Sequence, residues 1–139
     1  MLIFRMKQNF HWPPMIDVIG VALNWRKIYC DVSEDQGVNI DTKNIKEEIK
    51  IYLPVFINRA NLAVEDLHAC MGDGELSGTG IEISGKVKLN VTKIANTKLK
   101  MSTVETEDEY MITVSGKTFE YTIYKSTKKI VELYKNPLI

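Results

Sequence analysis

The sequence predicts a mainly β protein, an antiparallel β-sandwich or distorted barrel with a small α+β C-terminal part that ends in a helix. Strict alternation of apolar and polar side chains along residues 86–92 is typical of a half-exposed antiparallel strand. Helical periodicity is scarce before residue 118, where the spacing of the apolar residues changes. We therefore expect one domain over residues 1–139, with a β core to about residue 100 and the α+β part over about 101–139.

Four segments carry strand patterns, namely residues 16–22, 51–57, 86–92 and 110–114. The first follows Trp12-Pro13-Pro14, and its two prolines favour an extended entry into the strand. Pro54 lies inside the second segment, and this predicts a position at a sheet edge or at a bulge, because proline has no amide to donate.

The other segments have weaker patterns. Residues 31–42 are polar and glycine-containing, which indicates a long loop. Residues 43–50 are charged, and the four-residue interval between Ile45 and Ile49 allows either a short surface helix or a loop. Over residues 118–134 the apolar side chains recur near helical intervals and predict an amphipathic helix, against the β propensity of its Thr-Ile-Tyr stretch.

Composition excludes several classes of protein. The 18 basic and 18 acidic residues cancel, which argues against a nucleic-acid partner, because such binding depends on neutralising phosphates. Two cysteines are too few for a disulfide framework, and we expect a reducing, cytoplasmic setting. The sequence shows neither a signal-peptide core nor an apolar stretch of membrane-spanning length, so we expect no membrane partner.

The main candidate for a functional site is the block of residues 66–75. It contains three carboxylates, a histidine and a cysteine, and it lies between two apolar runs. Burying such charges is unfavourable unless they are paired or bind a metal, so this block is a candidate site. If residues 63–70 are extended, Asp66, His68 and Cys70 point to the same side. After the turn at Gly72-Asp73-Gly74, Glu75 can return towards that side.

Two interpretations of this block stay open. A converging Asp, His and Glu is the ligand chemistry of a divalent metal, with zinc the best match. Alternatively, Asp73 is only a turn residue, and Asp66 and His68 form a hydrogen-bonded pair. Cys70 is predicted to be buried and inert, because nearby acidic groups raise the pKa of a thiol.

The same residues resemble the acetamidase/formamidase family. That family carries the ordered elements LPVF, D-x-HA, MGDGE and GT(G/A)IE, with PMIGVIGVAP upstream and a VETED-like segment downstream. This sequence has LPVF from Leu53, DLHA from Asp66, MGDGE from Met71, SGTGIE from Ser77, PMIDVIGVA from Pro14 and VETED from Val104. From about residue 13 to the C-terminus, the chain is identified as a member of this family.

The resemblance implies hydrolysis of a short linear amide to a carboxylate and ammonia at a metal-dependent site. It also implies a largely β architecture and an oligomer, usually a dimer. Five residues fall on polar positions of the family, namely Asp66, His68, Asp73, Glu75 and Glu82. The resulting assignments are His68, Asp66 and Glu75 as ligands of a divalent metal, expected to be zinc, Glu75 and Asp73 as catalytic groups, and Asn39 and Glu82 as substrate contacts.

Three departures from the family support a second hypothesis. The family has a further N-terminal region of comparable size, which we expect this chain to lack. The family loop HGGNMD is QGVNID here, so Gln36 replaces a histidine and Val38 replaces a glycine. Two family glycines before the Asp-x-His element are Arg59 and Glu65. The alternative is a non-catalytic remnant, or one subunit of a split amidase acting as a binding or assembly module, with a separate subunit supplying the N-terminal half.

Residues 1–12 also predict self-association. This segment is rich in large apolar side chains and has no obvious strand partner; they are Leu2, Ile3, Phe4, Phe10 and Trp12. Exposed apolar patches usually mark interfaces, and two-fold dimers are the commonest closed assembly, so we expect a homodimer. Alternatively, the segment folds back as an extra strand of its own sheet and leaves a monomer.

Overall fold

The computed structural model of the chain describes residues 13–24, 26–31 and 33–135. Within this part it contains seven strands and one helix. They are β1 (Met15–Gly20), β2 (Gly37–Asn39), β3 (Lys50–Tyr52), β4 (Ala63–Cys70), β5 (Ile81–Glu82), β6 (Thr103–Glu105), β7 (Tyr110–Ile112) and α1 (Phe119–Lys135).

The strands form two antiparallel sheets, which confirms the predicted fold class. The first sheet has the order β2-β1-β4-β5 and the second has the order β3-β6-β7. Both sheets contribute to one apolar core, because Ile19 of β1 and Val104 of β6 are buried in the same cluster with Ile40 and Ile45. The site described below therefore lies on a sheet whose position is fixed by burial against the second sheet.

Strand β1 is the central strand that organises the first sheet. It pairs with β2 on one side and with β4 on the other, both antiparallel. Its apolar run is buried at five of six positions, as the sequence predicts for a strand inside a sheet. Strand β4 has the same bounds as the extended segment expected over residues 63–70.

The predicted loop over residues 31–42 is wrong at β2, which pairs with β1. A three-residue strand gives no periodic pattern in the sequence, and its pairing depends on Gly37. This glycine has a φ of 99°, and a β-carbon there would clash with the carbonyl oxygen of Ile19. Residues 43–50 form turns and not a helix, and Ile45 is buried while its carbonyl accepts from the amide of Ile16 at 2.9 Å.

Three further elements agree wholly or in part with the sequence predictions. Strand β3 is an edge strand, as predicted, but it ends at Tyr52, so the strand predicted over residues 51–57 is wrong from residue 53 onwards, where Pro54 has no amide to donate. Strand β7 lies within the predicted segment 110–114. Helix α1 covers the predicted helix over 118–134, and the Thr118 hydroxyl caps it by accepting from the amide of Tyr121 at 3.2 Å.

The predicted strand over residues 86–92 is wrong for the part of the chain that the structure describes. These residues belong to no sheet, and both alternating sets of side chains are exposed. The alternation of Val87, Leu89 and Val91 is real, but no described strand pairs with it. A local pattern can indicate a strand, whereas only a neighbour can supply the hydrogen bonds that a strand requires.

Two further expectations concern self-association and a membrane partner. The segment predicted to drive self-association, residues 1–12, lies outside the described residues, so the homodimer stays a prediction. No helix in the described part of the chain is long and apolar enough to cross a membrane.

Val38 and Arg59 both have a left-handed backbone although neither is a glycine. Val38 has a φ of 83° and Arg59 has a φ of 71°. A side chain with a β-carbon is strained in this region, most of all a β-branched one. Both positions are therefore ones at which a glycine would be less strained.

We expect Val38→Gly to raise the free energy of unfolding by about 0.5–1 kcal/mol. Relief of about 1–2 kcal/mol of left-handed strain exceeds the entropic cost of about 0.5–1 kcal/mol that a glycine adds. Urea denaturation of both proteins measures the difference. The matched control is Val55→Gly, where an exposed valine has no positive φ and the same change lowers stability. Destabilisation by Val38→Gly, or an equal gain in both variants, would contradict the assignment of strain.

Candidate metal centre

His68 lies at the middle of the candidate site. Strand β4 places it opposite Met15 of β1 and opposite Glu82 of β5, and its side chain is completely buried. Neither ring nitrogen makes a hydrogen bond to a described residue. Gly80 lies against the ring, and a β-carbon there would come within 2.5 Å of Nδ1. The fold thus buries an imidazole and leaves its polar atoms unsatisfied, which is unfavourable without a further partner.

Three carboxylates converge on the Nε2 atom of His68. The distances are 3.2 Å from Asp66 Oδ1, 3.4 Å from Glu75 Oε1 and 3.2 Å from Glu82 Oε1. An imidazole N–H points in one direction, so it cannot donate to three oxygens at once. Oxygen and nitrogen atoms gathered in this way are typical of the donors around a cation.

Asp66 reaches this position through an irregular backbone. Its φ is 53°, in the left-handed region, although it lies inside β4. Aspartate tolerates that region better than most residues, because its short polar side chain can hydrogen-bond locally. The strand departs from regular geometry at the residue whose carboxylate meets His68. Backbone outliers of this kind cluster at functional sites.

The carboxyl groups of Asp66 and Glu82 influence each other's pKa. Their hydrogen bond is the main reason why the pKa of Asp66 is raised, with burial and the negative charge of Glu82 adding to it. The same hydrogen bond lowers the pKa of Glu82, helped by the Thr79 hydroxyl, which donates to Glu82 Oε1 at 2.7 Å. Of the two carboxyl groups, Asp66 is therefore the one more readily protonated and Glu82 the one more readily ionised.

Asp17 is a member of the site that sequence reasoning missed. It is buried on β1, its carboxylate lies within 4.8 Å of donor atoms of Asp66 and His68, and its Oδ1 has no hydrogen-bond partner among the described residues. Burial, followed by the nearby carboxylate of Asp41, raises the pKa of Asp17 to about 7. A charged residue inside the apolar run IDVIG was the signal that could have identified it.

Two overlapping groups of donors result. Asp17, Asp66 and His68 form one group and His68, Glu75 and Glu82 form the other, with the donor atoms of each within 4.8 Å of one another. Four of the residues expected at the site are thereby brought together, namely Asp66, His68, Glu75 and Glu82. Cys70 is buried with a free thiol, as predicted.

The remaining expected residues lie apart from this cluster. Asp73 is 87% exposed, and its carboxylate pairs with Lys43 Nζ at 2.7 Å. Asn39 lies on β2, which β1 separates from β4. Gln36 is buried and lines a cavity of about 340 Å³ together with residues that include Asp35 and Lys125.

An open groove of about 770 Å³ adjoins the cluster on its exposed side. Asp66 and Glu82 line it, and most of its other side chains are apolar; these include Val64, Leu67, Ile83 and Val87. Binding sites for small molecules commonly combine an apolar lining with a few converging polar groups. The groove gives a small molecule access to the carboxylates beside His68.

The fold and the site together define a class of protein, a two-sheet antiparallel β domain with a buried histidine enclosed by carboxylates. The model of the acetamidase/formamidase family matches residues 30–128 of the chain. The chain therefore belongs to the acetamidase/formamidase family.

Individual relatives match over part of their length. The chain is 38% identical over 58 residues to a formamidase of Methylophilus methylotrophus, which is 41% of this chain and 14% of that protein. It is 39% identical over 61 residues to an acetamidase of Mycolicibacterium smegmatis. That alignment covers 43% of this chain and 15% of the acetamidase.

A solved structure matches more of the chain. It is a protein of Thermoanaerobacter tengcongensis described as a predicted acetamidase/formamidase, 39% identical, with a TM-score of 0.83 over 88% of this chain. The match covers 40% of that relative, so the larger part of the relative has no counterpart here.

The pKa of Asp17 predicts how the stability of the metal-free protein depends on pH. The ordinary carboxyl pKa is 3.8, whereas that of folded Asp17 is about 7, so between these values the folded state holds a proton that the unfolded state has released. The contribution of Asp17 to the free energy of unfolding is therefore largest below about pH 4, falls as the pH rises to about 7 and is constant above that pH.

We expect Asp17→Asn to remove this dependence, which chemical denaturation at several pH values in a chelator would measure. The matched control is Asp108→Asn at an exposed position, which should leave the slope of the wild type intact. An Asp17→Asn protein that keeps the wild-type slope between pH 4 and 7 would show that another group is responsible.

Proposed function

We propose that this protein hydrolyses a short linear amide, such as formamide or acetamide, to a carboxylate and ammonia. A divalent metal, with zinc the best match, is held by His68, Asp66 and Glu75. The observation that carries the proposal is the convergence of three carboxylate oxygens, at 3.2–3.4 Å, on a buried nitrogen without a hydrogen-bond partner. Membership of the acetamidase/formamidase family supports the class of reaction.

The donor set fits a divalent cation. Three carboxylates around one imidazole concentrate negative charge, which is unfavourable without a proton or a cation. The raised pKa of Asp66, caused first by its hydrogen bond to Glu82, is consistent with this need. A nitrogen and several carboxylate oxygens suit zinc, and they also suit manganese and iron. Glu82, whose Oε1 lies 3.2 Å from His68 Nε2, is available as a further donor.

Each residue then has a chemical task. A divalent ion, when bound, acts as a Lewis acid and lowers the pKa of water from about 16 towards about 7. Glu75, largely buried beside His68, is placed to accept the proton of the attacking water and to pass it to the amide nitrogen, which leaves as ammonia. The groove beside Asp66 and Glu82 receives the amide, and its apolar side chains offer contacts to the substrate.

Ammonia release from formamide or acetamide in the presence of zinc tests the proposal. We expect His68→Ala to abolish it, because the buried nitrogen at the centre of the cluster is lost. The control is Glu107→Gln, which changes an exposed carboxylate outside the cluster and should leave the rate unchanged. Activity that survives in His68→Ala would exclude the assignment.

Glu75→Gln separates its two tasks. If Glu75 acts as the general base, the variant loses about 10²–10⁴-fold in kcat, and its zinc affinity is kept. If Glu75 is a ligand, the zinc affinity falls together with the rate. Isothermal titration with zinc, run beside the ammonia assay, distinguishes these results. A variant with the wild-type rate and affinity would remove Glu75 from the site.

Zinc should also stabilise the folded protein, since the donors come together only in the folded chain. At a free concentration of about 100 times Kd, we expect a gain of about 2.7 kcal/mol, reversed by a chelator. Asp66→Asn should lose this gain, and asparagine is the suitable change because it tolerates the φ of 53° at this position. Thermal denaturation measures the effect, and an equal zinc-dependent gain in Asp66→Asn would contradict the ligand assignment.

A second candidate function is that of an assembly module within a split amidase. Two observations favour it: the match covers 40% of the solved relative, and Gln36 stands where the family loop has a histidine. Failure of the zinc-loaded chain to release ammonia by itself, while zinc binding is retained, would favour this candidate.

A further inference from the structure

The segment of residues 83–100 contains an unusual accumulation of exposed apolar side chains. Every residue in it except Leu99 is exposed. The apolar positions alternate with polar ones, and the exposed fraction of the side chain is 42% at Leu89 and 72% at Val91. Exposed patches that are apolar and contiguous usually mark interaction sites on soluble proteins.

The backbone of this segment is also unpaired. In the part of the chain that the structure describes, residues 84–98 make no backbone–backbone hydrogen bond, and the amide of Leu99 donates only to the Thr97 hydroxyl, at 3.4 Å. No residue from Lys86 to Ala95 has a positive φ, so the segment keeps a backbone that is compatible with a strand. Alternation without a neighbouring strand leaves a row of N–H and C=O groups open to pairing with another chain.

The charge of this segment is one-sided. Between Glu82 and Glu105 there is no acidic residue, while five lysines occur, namely Lys86, Lys88, Lys93, Lys98 and Lys100. The chain as a whole has no net charge, so this excess is local. Two copies paired along this segment would bring two lysine-rich strands together, whereas an acidic partner strand would neutralise them.

The comparison with the solved relative indicates where such a partner comes from. The fold is shared at a TM-score of 0.83, yet the larger part of the relative's chain has no counterpart here. In a shared fold, an apolar, strand-like segment that lacks a neighbour is expected to meet the part that is not represented. We propose that residues 86–94 are a docking edge for the polypeptide that forms the rest of the family fold. A strand of it, with alternating apolar and acidic side chains, adds to this edge by β-augmentation.

Co-expression with a defined probe tests the docking edge. The probe is the part of the Thermoanaerobacter tengcongensis chain that has no counterpart here, produced as a separate tagged polypeptide. We expect a 1:1 complex in which hydrogen exchange at the amides of residues 86–92 slows by at least about tenfold, because a strand pairing protects these amides. A chelator is present throughout, so the outcome does not depend on a metal or on amide hydrolysis.

Two adjacent substitutions form a matched pair. Leu89→Lys puts a charge on the apolar side of the strand and should weaken the complex by at least about tenfold. Asn90→Lys adds the same charge on the polar side, where acidic partners are expected, and should keep the complex. Both positions are exposed in the protein alone, so thermal denaturation of each variant should match the wild type.

The outcomes are distinct. A complex with protection at residues 86–92 that is lost in Leu89→Lys and kept in Asn90→Lys supports the proposal. The proposal is overturned if the wild type does not bind the probe, or if it binds while exchange at residues 86–92 is unchanged. Self-association of the wild type without the probe, with protection of the same amides, would replace the proposed occupant by a second copy of the chain.

Discussion

The antiparallel pairing of β1 with β4 is the constraint on which the rest of the structure depends. Its register places Met15 opposite His68, and the carboxylate of Asp17 on β1 comes close to Asp66 and His68 on β4. The same pairing sets Ile19 opposite Val64, which anchors the sheet in the shared core. A shift of one residue would turn His68 to the other face of the sheet and disperse the cluster. Core packing therefore determines the geometry of the site. Within the cluster, His68 and Asp17 are deeply buried, and the other carboxylates are partly exposed.

Electrostatics connects this packing to ligand binding. The three carboxylates differ in exposure, with 16% for Glu75, 38% for Asp66 and 53% for Glu82, so the cluster is closed on one side and open to the groove on the other. Without a cation, the fold favours the neutral forms of two carboxyl groups and so limits its negative charge, because the pKa values of Asp66 next to Glu82 and of Asp17 within the core are raised. A bound cation would replace protons in this role, and its affinity would rise with pH for that reason.

The sequence was sufficient to predict elements that have a long periodic pattern or that depend on residues close together in the chain. Helix α1 follows its periodicity, and the histidine–carboxylate block follows from the strand, turn and strand around it. Sequence reasoning missed β2, whose three residues carry no period, and it missed Asp17, which joins the site only across the strand pairing with β4. It wrongly predicted a strand over residues 86–92, because alternation specifies a suitable surface and not the presence of a neighbour.

The loop that precedes β2 shows why fold and chemistry are separable in this chain. Asp35 pairs with Lys129 of α1, and its carbonyl accepts from the Ser102 amide at 2.8 Å, while Val21 donates to the Gln36 carbonyl at 3.2 Å. These contacts use backbone groups and the side chain of Asp35, so none of them depends on the chemistry of the side chain at position 36. They hold the loop, which includes the left-handed Val38, independently of any hydrogen bond from the buried Gln36 side chain. Persistence of the fold supports the family assignment, but the chemistry has to be judged from the cluster around His68.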